Sequence, residues 1–396
     1  MKIVYITRFF WPLVGGAAAA TLELARRLAN RGHEVSLFAP DSWHAYMMIE
    51  RSPLAAPNGL VVTYSKPRLS DMPADTVSFA FLGFKAFRAV CGADVILGQY
   101  HEWHWASLCA AILSMVARKP LVVKVHDIFY TPKSVLEKIL TFVSKWVTWV
   151  SLRRAEQVLV PGEELVDMVR SVYGLEASKV RTLLNGVDTT RFSPRHRNDD
   201  LRRKIGSKHI VAFVGYVQNS LYGLDALVRA TKTVRSKIPD LKVLIIGNGP
   251  DRPSLIQLTN SLRLQDAIEF LGLVSSELLP TYLASVDIGI GQLRASISTF
   301  GATPLKVVEY MASGCVTVIG KGGASEGLII DGVNGIIARS ADAADVASGI
   351  LRAFSDDELA ARLRINARET AEKVYDYEVI VSQLEAILRR TAGLGK

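Results

Sequence analysis

The chain has 396 residues, 49% of them apolar and 21% charged, with lysine and arginine outnumbering aspartate and glutamate by 47 to 38. That length exceeds what one hydrophobic core usually serves, so two domains are expected, and the composition excludes a disordered or repetitive chain. The net charge of +9 favours anionic partners without choosing among lipid, nucleic acid and phosphorylated substrates. Cys91, Cys109 and Cys315 lie far apart in apolar sequence with no CxxC or Cys/His cluster, which fits a reducing, cytoplasmic setting and offers no zinc or redox site. No apolar run reaches the roughly 20 residues that span a bilayer; the best, Ala106–Ala117, stops at Arg118.

From the start, Lys2–Thr7 reads as a strand, followed by a loop ending in Gly15-Gly16. A helix over Ala17–Asn30 comes next, with Gly32 as its stop, and then a strand over Glu34–Ala39. This βαβ unit argues against a leader peptide. Further strands are expected at Asp94–Gly98, Leu121–Val125, Gln157–Val160 and Val180–Leu184. After "NGVDTTRFSP" a second series begins, with strands at His209–Val214, Leu241–Ile246, Ala267–Leu271, Ile288–Gly291, Cys315–Ile319 and Gly335–Ala338. From Ala341 onward the pattern is helical.

The turn-rich segment Asn185–Pro194 joins the two series. It divides the chain into an N-terminal domain over 1–188 and a C-terminal domain over 189–375, with a last helix, from about 376 to 396, packing back on the first. Strands alternating with helices imply parallel sheets, so the fold class is α/β with two Rossmann-like, doubly wound domains facing a cleft. Ligands of open α/β sheets sit beyond the carboxyl ends of the strands, so residues just after strands are the ones that matter.

The most informative stretch is "TPLKVVEYMASGC". Thr303 is expected to cap a helix, Pro304 to take its first position and Gly314 to end it. Unsatisfied N–H groups near Leu305 and Lys306 would receive a diphosphate, helped by the positive end of the helix and by the Lys306 charge. A lysine in a first turn opposes the helix dipole, which makes sense where an anion binds. Glu309, one turn on, is placed to accept hydrogen bonds from a ribose diol. The plain alternative is a Lys306–Glu309 surface pair.

"PLKVVEYMASG", followed by "GGASEGLIIDGVNGIIA", resembles the donor-binding region of the retaining glycosyltransferases of family 4. "LLNGVDTTRFSP", "VLIIGNGPDRPSL" (with Gly247) and "GHEVSLFAP" are similar to that family as well, in the same order over nearly the whole chain. The resemblance implies the two-domain GT-B fold, a nucleotide-sugar donor on the C-terminal domain, UDP-sugars favoured, a glycan, lipid-linked or small-molecule acceptor, and retention of configuration. The lack of an Asp-x-Asp motif in a suitable loop points to a reaction without a metal, and no separate cofactor is expected. Glu309 matches the second glutamate of the family's paired motif, but the first falls at Gly301. After Gly215, where many members carry an arginine, this chain has Tyr216; the family's lysine is replaced by Tyr222. Lys306 and the helix N-terminus are therefore expected to stabilise the leaving diphosphate.

Gly15 and Gly16 match the family's glycine-rich loop, whose bare backbone admits substrate or phosphate. His101 resembles the histidine beside the donor sugar, while His126 and Asp127 resemble a second motif lining the cleft. Gly323 and Glu326 resemble the loop that receives the diphosphate or sugar, although glutamates such as Glu163 and Glu326 are also ordinary near helix starts. The site set is thus His101, Lys306 and Glu309 for catalysis; Gly215, Tyr216, Gly247, Thr303, Pro304, Leu305, Gly323 and Glu326 around the donor; and Gly15, Gly16, His126 and Asp127 on the acceptor and phosphate side.

"FAFLGFKAFRAV" and "LEKILTFVSKWVTWVSLRR" mix aromatic, aliphatic and basic residues; they fit either core-facing helices or peripheral contact with anionic lipid. No basic stripe with stacking aromatics suits nucleic acid. A nucleotide-sugar 2-epimerase and a catalytically degenerate sugar-binding protein are the alternatives to transfer.

Overall fold

The structure, a computed structural model, describes residues 1–8, 16–40, 59–65, 83–100, 106–126, 135–295, 303–322 and 325–394. The chain divides into two compact units, Met1–Leu184 with Tyr377–Lys396, and Asn185–Asp376.

Unit 1 is built on strands β1 (Lys2–Ile6), β2 (Glu34–Pro40), β3 (Leu60–Ser65), β4 (Val95–Tyr100), β5 (Leu121–Val125), β6 (Gln157–Val160) and β7 (Val180–Thr182). All pair in parallel, in the order β3-β2-β1-β4-β5-β6-β7. Its helices are α1 (Gly16–Asn30), α2 (residues 83–91), α3 (Ala106–Ala117), α4 (Val135–Arg154) and α5 (Glu164–Tyr173). The central strands are buried on both faces, as parallel strands must be when helices cover each side. One face of the sheet joins Val4, Ile96 and Val123 to α2, α3 and α4 through Ala86, Val90, Cys109, Ala110 and Leu152.

The other face holds Tyr5, Leu97 and Val122 against Leu24 and Leu28 of α1 and against the last helix of the chain, Tyr377–Thr391. That helix is fixed by Ile380, Val381, Leu384 and Leu388 in the core and, at its rim, by Glu385, which meets Arg31 at 3.2 Å and His33 at 3.0 Å.

Unit 2 repeats the plan. Its helices are α6 (Asp199–Ile205), α7 (Asn219–Tyr222), α8 (Leu224–Lys237), α9 (Arg252–Ser261), α10 (Leu279–Ala284), α11 (Leu305–Ser313), α12 (Ala343–Ser355) and α13 (Asp357–Thr370), which makes Tyr377–Thr391 of unit 1 α14. Strands β8 (His209–Val214), β9 (Leu241–Ile246), β10 (Ile268–Gly272), β11 (Ile288–Ile290), β12 (Val316–Gly320) and β13 (Ile336–Ala338) are parallel, in the order β10-β9-β8-β11-β12-β13. In each unit the order reverses beside the first strand, between β1 and β4 and between β8 and β11, which is where such sheets bind ligands.

The predicted strands at 121–125, 157–160, 209–214 and 241–246 match residue for residue, and the others shift by a residue or two at their ends. β3 is absent from the sequence-based expectation; it is an edge strand bonded to β2 alone. Among the described residues no helix is long and apolar enough to cross a membrane.

Leu384 is fully buried between α14 and the sheet. Leu384→Ala is expected to destabilise unit 1 by about 2–5 kcal/mol, read as a lower urea midpoint for that unit's transition.

Candidate functional site

The switch point of unit 2 is shaped by residues that permit close approach. Gly215 (φ 139°) and Gly247 (φ 131°) follow β8 and β9 with backbone geometry that a side chain rarely adopts. A Cβ on Gly247 would stand 1.9 Å from the Gly215 carbonyl oxygen, and one on Gly215 would stand 2.8 Å from Lys306 Nζ. Gly247 N donates to Gly272 O at 2.7 Å, which ties the turn to β10.

α11 is seated over this turn by Tyr310. Val214 N donates to the Tyr310 hydroxyl at 2.8 Å, and the ring lies where a Cβ on Gly289 of β11 would be, 2.3 Å from its nearest atom. One turn before Tyr310, Lys306 reaches back across the end of β8. Its ammonium sits 3.5 Å from the Tyr222 ring centroid and 4.2 Å from that of Phe213. Part of the side chain is exposed, but Nζ itself is sealed from solvent and has no hydrogen-bond partner among the described residues.

Burial lowers the Lys306 ammonium to about 7, opposed only by the charge of Glu309. Burial raises the Glu309 carboxyl to about 7, offset in part by Arg191 and then by Lys306. These are not the groups of a solvated surface pair.

The helix start differs from the sequence-based expectation. α11 begins at Leu305, its N-cap is Pro304 (φ −70°, ψ 119°), and no side chain caps it, so Thr303 is not the cap and Pro304 is not in the first turn. The cause lies at Pro304, whose extended ψ of 119° starts the helix one residue later than a proline in the first position would, leaving Thr303 two residues before Leu305. Thr303 is buried instead, and its carbonyl accepts from Asn185 Nδ2 at 3.2 Å. Without a capping side chain, the amides of Leu305 and Lys306 lack intrahelical acceptors and face the same end as the buried ammonium.

Other expected residues fall as follows. Tyr216 is 42% exposed, past the end of β8. Glu326 is exposed, and its Oε2 accepts from Gly322 N at 2.6 Å, closing its own loop. Glu163 is the N-cap of α5 without a side-chain bond. In unit 1, Gly16 is the first residue of α1, and His126 follows β5 with Nε2 beside Gln99 Nε2 and 3.4 Å from Lys124 Nζ. Gly15, His101, Asp127, Gly301 and Gly323 lie outside the described residues.

Two comparisons with family profiles bear on this arrangement. The profile described as Glycosyltransferase Family 4 matches residues 14–191, and that of Glycosyl transferases group 1 matches residues 197–370, so together they take in most of the chain. The chain belongs to the family 4 glycosyltransferases.

This glycosyltransferase is 26% identical over 402 residues to the phosphatidyl-myo-inositol mannosyltransferase of Mycolicibacterium smegmatis, covering 100% of this chain and 95% of that protein. It is 26% identical over 285 residues to the alpha-D-kanosaminyltransferase of Streptomyces kanamyceticus, covering 70% and 72% of the two chains. Among solved structures, Anabaena Alr3699/HepE in complex with UDP and glucose superposes with a TM-score of 0.77 at 21% identity, over 98% of this chain and 99% of that one. The fold is therefore GT-B.

Sequence reasoning missed three features of the transferase. Phe213 forms half of the cage around Lys306; Gln99 and Lys124 are buried at the ends of β4 and β5. The last two had a signal, a polar residue interrupting the apolar runs "VILGQY" and "LVVKV". Gly247→Ala, which must displace the Gly215 carbonyl, is expected to cost about 1–3 kcal/mol and lower the thermal midpoint of unit 2.

Proposed function

We propose that the enzyme transfers a sugar from a nucleotide diphosphate, with UDP-sugars favoured, to the hydroxyl of a glycan or lipid-linked acceptor. Transfer proceeds with retention of configuration and without a metal. The observation that carries this reading is the buried Lys306 ammonium, without a hydrogen-bond partner among the described residues, beneath the start of α11 at the switch point of unit 2. The leaving diphosphate seats on that ammonium and those amides, which are in place before reaction and stabilise the charge as it develops. Glu309 accepts from the ribose diol, and Gly215 and Gly247 keep the floor bare.

His126 and Gly16 line the acceptor and phosphate side of unit 1. UDP is favoured because Alr3699/HepE, of the same fold, is solved with UDP; a lipid-linked acceptor is favoured by the relative named phosphatidyl-myo-inositol mannosyltransferase. Retention follows the course implied by the family resemblance, with the acceptor attacking from the face the diphosphate leaves.

The pH dependence has two limbs. Lys306, held at about 7 by burial, is charged only below that pH; Glu309, raised to about 7 by burial, is charged only above it. A diphosphate selects the ammonium and a diol selects the carboxylate, so donor affinity falls on both sides of about pH 7. Calorimetry with UDP-glucose and GDP-mannose should show this maximum, and Glu309→Gln should flatten the acid limb alone. Lys306→Ala is expected to weaken binding by about 10- to 100-fold, the range of a hydrogen bond to a charged group. Unchanged binding in Lys306→Ala would overturn the assignment.

A peripheral role at the cytoplasmic membrane face is supported by a second observation. Phe142, Trp146 and Trp149 are 75%, 61% and 40% exposed on one stripe of α4. The adjoining helices add exposed Phe84 and Phe87 on α2 and Ile112, Met115 and Val116 on α3, with Lys85, Arg88, Arg118 and Lys145 interspersed. Aromatic and aliphatic groups beside lysine and arginine suit an anionic interface. Flotation with phosphatidylglycerol vesicles tests it: the protein should float at low salt, the Phe142→Ala/Trp146→Ala pair should not, and a wild-type protein left at the bottom ends the proposal.

A further inference from the structure

The last turn of α11 is held by a side chain from α13. Arg368 keeps only 21% of its side chain exposed, and a guanidinium carries five N–H groups in a planar fork. All five are placed. Nη1 donates to Phe192 O at 2.7 Å and to Ala312 O at 2.5 Å, and Nη2 donates to Thr189 O at 2.9 Å. Nε and Nη2 meet Glu372 Oε1 at 2.7 Å and 2.6 Å. A plain ion pair with Glu372 would occupy one edge of the fork; here the rest is given to main-chain carbonyls.

Those carbonyls belong to two pieces of chain. Ala312 stands in the last turn of α11, where carbonyls have no intrahelical donor and a cation suits the negative end of the helix. Thr189 and Phe192 belong to the segment by which the chain enters unit 2 after Leu184. That segment touches α11 at both ends: Asn185 Nδ2 donates to Thr303 O at 3.2 Å just before the helix, and a Cβ on Gly314 just after it would stand 2.8 Å from Pro194 Cγ. It is braced in turn where the chain leaves unit 2, since Val187 N donates to Tyr375 O at 2.7 Å and the Thr189 hydroxyl donates to the Asp376 carboxylate. A helix of nine residues moves as a rod. Ala312 and Leu305 are about 10 Å apart along its axis, at 1.5 Å per residue, so a shift at one end is carried to the other. Tyr310 fixes one point of the rod through Val214 N, and Arg368 fixes a second.

We propose that Arg368 is a positioning residue for donor binding: by tying the last turn of α11 to the entry segment of unit 2, it sets where the amides of Leu305 and Lys306 and the Lys306 ammonium stand. That these groups receive a donor rests on the function proposed above; that Arg368 sets their place rests on its own hydrogen bonds.

The two claims are tested separately on the full chain. With lysine labelled at Cε, and the Lys306 signal assigned by its loss in Lys306→Ala, the wild type should titrate at about 7. A folded Arg368→Ala variant should titrate higher, because a displaced helix lets water reach Nζ. Binding of UDP, measured by calorimetry, should weaken in that variant by about 10- to 100-fold, the scale of a small misplacement caused far from the chemistry. Guanidinium at millimolar concentration supplies the missing fork and should restore both readings in Arg368→Ala and neither in Lys306→Ala. Wild-type titration and UDP affinity in folded Arg368→Ala overturn the role of Arg368. So does recovery of the thermal midpoint in guanidinium without recovery of titration and affinity. A wild-type Lys306 that titrates at the ordinary lysine value leaves nothing for Arg368 to hold in place and overturns the role as well. If Arg368→Ala fails to fold, Arg368→Lys, which keeps the cation but cannot span three carbonyls, must show the same two shifts; wild-type values overturn the role equally. Failure of UDP to bind the wild type removes the donor reading, and the Lys306 titration then decides the role of Arg368 alone.

Discussion

The enclosure of the Lys306 ammonium organises the switch point of unit 2. A lysine brought from 10.5 to about 7 has lost roughly 5 kcal/mol of preference for its charged form, at about 1.4 kcal/mol per unit. Its position in the first turn of α11 adds to the cost, because the helix end is itself positive. The rings of Tyr222 and Phe213 return about 2 kcal/mol at most, the scale of a desolvated cation–π contact. Among the described residues no hydrogen-bond partner offsets that cost, which is why an anion is proposed there. An uncapped helix end is the same kind of incompleteness: Pro304 leaves the first amides without an acceptor. Two separate deficits, one of charge and one of hydrogen bonds, point at one place.

Keeping such a group buried demands a rigid frame. Tyr310 supplies it, because its hydroxyl receives Val214 N at the end of β8 while its ring fills the space left by Gly289 on β11. α11 is thus keyed to both strands that flank the crossover, and Lys306, one turn away, inherits that placement. Tyr222 follows from the same economy of positions. Where related enzymes carry a lysine, an aromatic ring accepts the charge of Lys306 rather than adding a second cation beside it.

The frame was far more legible in the sequence than the contents of the site. Strands such as Gln157–Val160 and Leu241–Ile246 are short apolar runs buried on both faces, and burial of that kind is written directly in composition. β3 escaped because an edge strand needs less of that signal. Lys306 and Glu309 stood out as candidates because a lysine in a first turn breaks a local rule. Thr303 was misplaced because Pro304, expected to open the helix, is itself extended and takes the cap position. Phe213 was not legible, since its place beside Lys306 arises from a contact between elements far apart in sequence, while Gln99 and Lys124 left only the signal of a polar residue within an apolar run.

The two switch points also show how one strand order serves two chemistries. In unit 2 the crossover between β8 and β11 is bordered by groups that carry charge, Lys306 and Glu309, in surroundings that disfavour it. In unit 1 the crossover between β1 and β4 is bordered by Thr7 and Gln99, neutral groups whose hydrogen bonds are met internally. The crossover of unit 2, proposed to stabilise a departing diphosphate, needs unspent charge, whereas that of unit 1 holds polar groups bonded to one another. Parallel sheets provide both because the crossover exposes strand ends without fixing which residues stand there. What differs is whether the polar atoms are left for a ligand or consumed by one another.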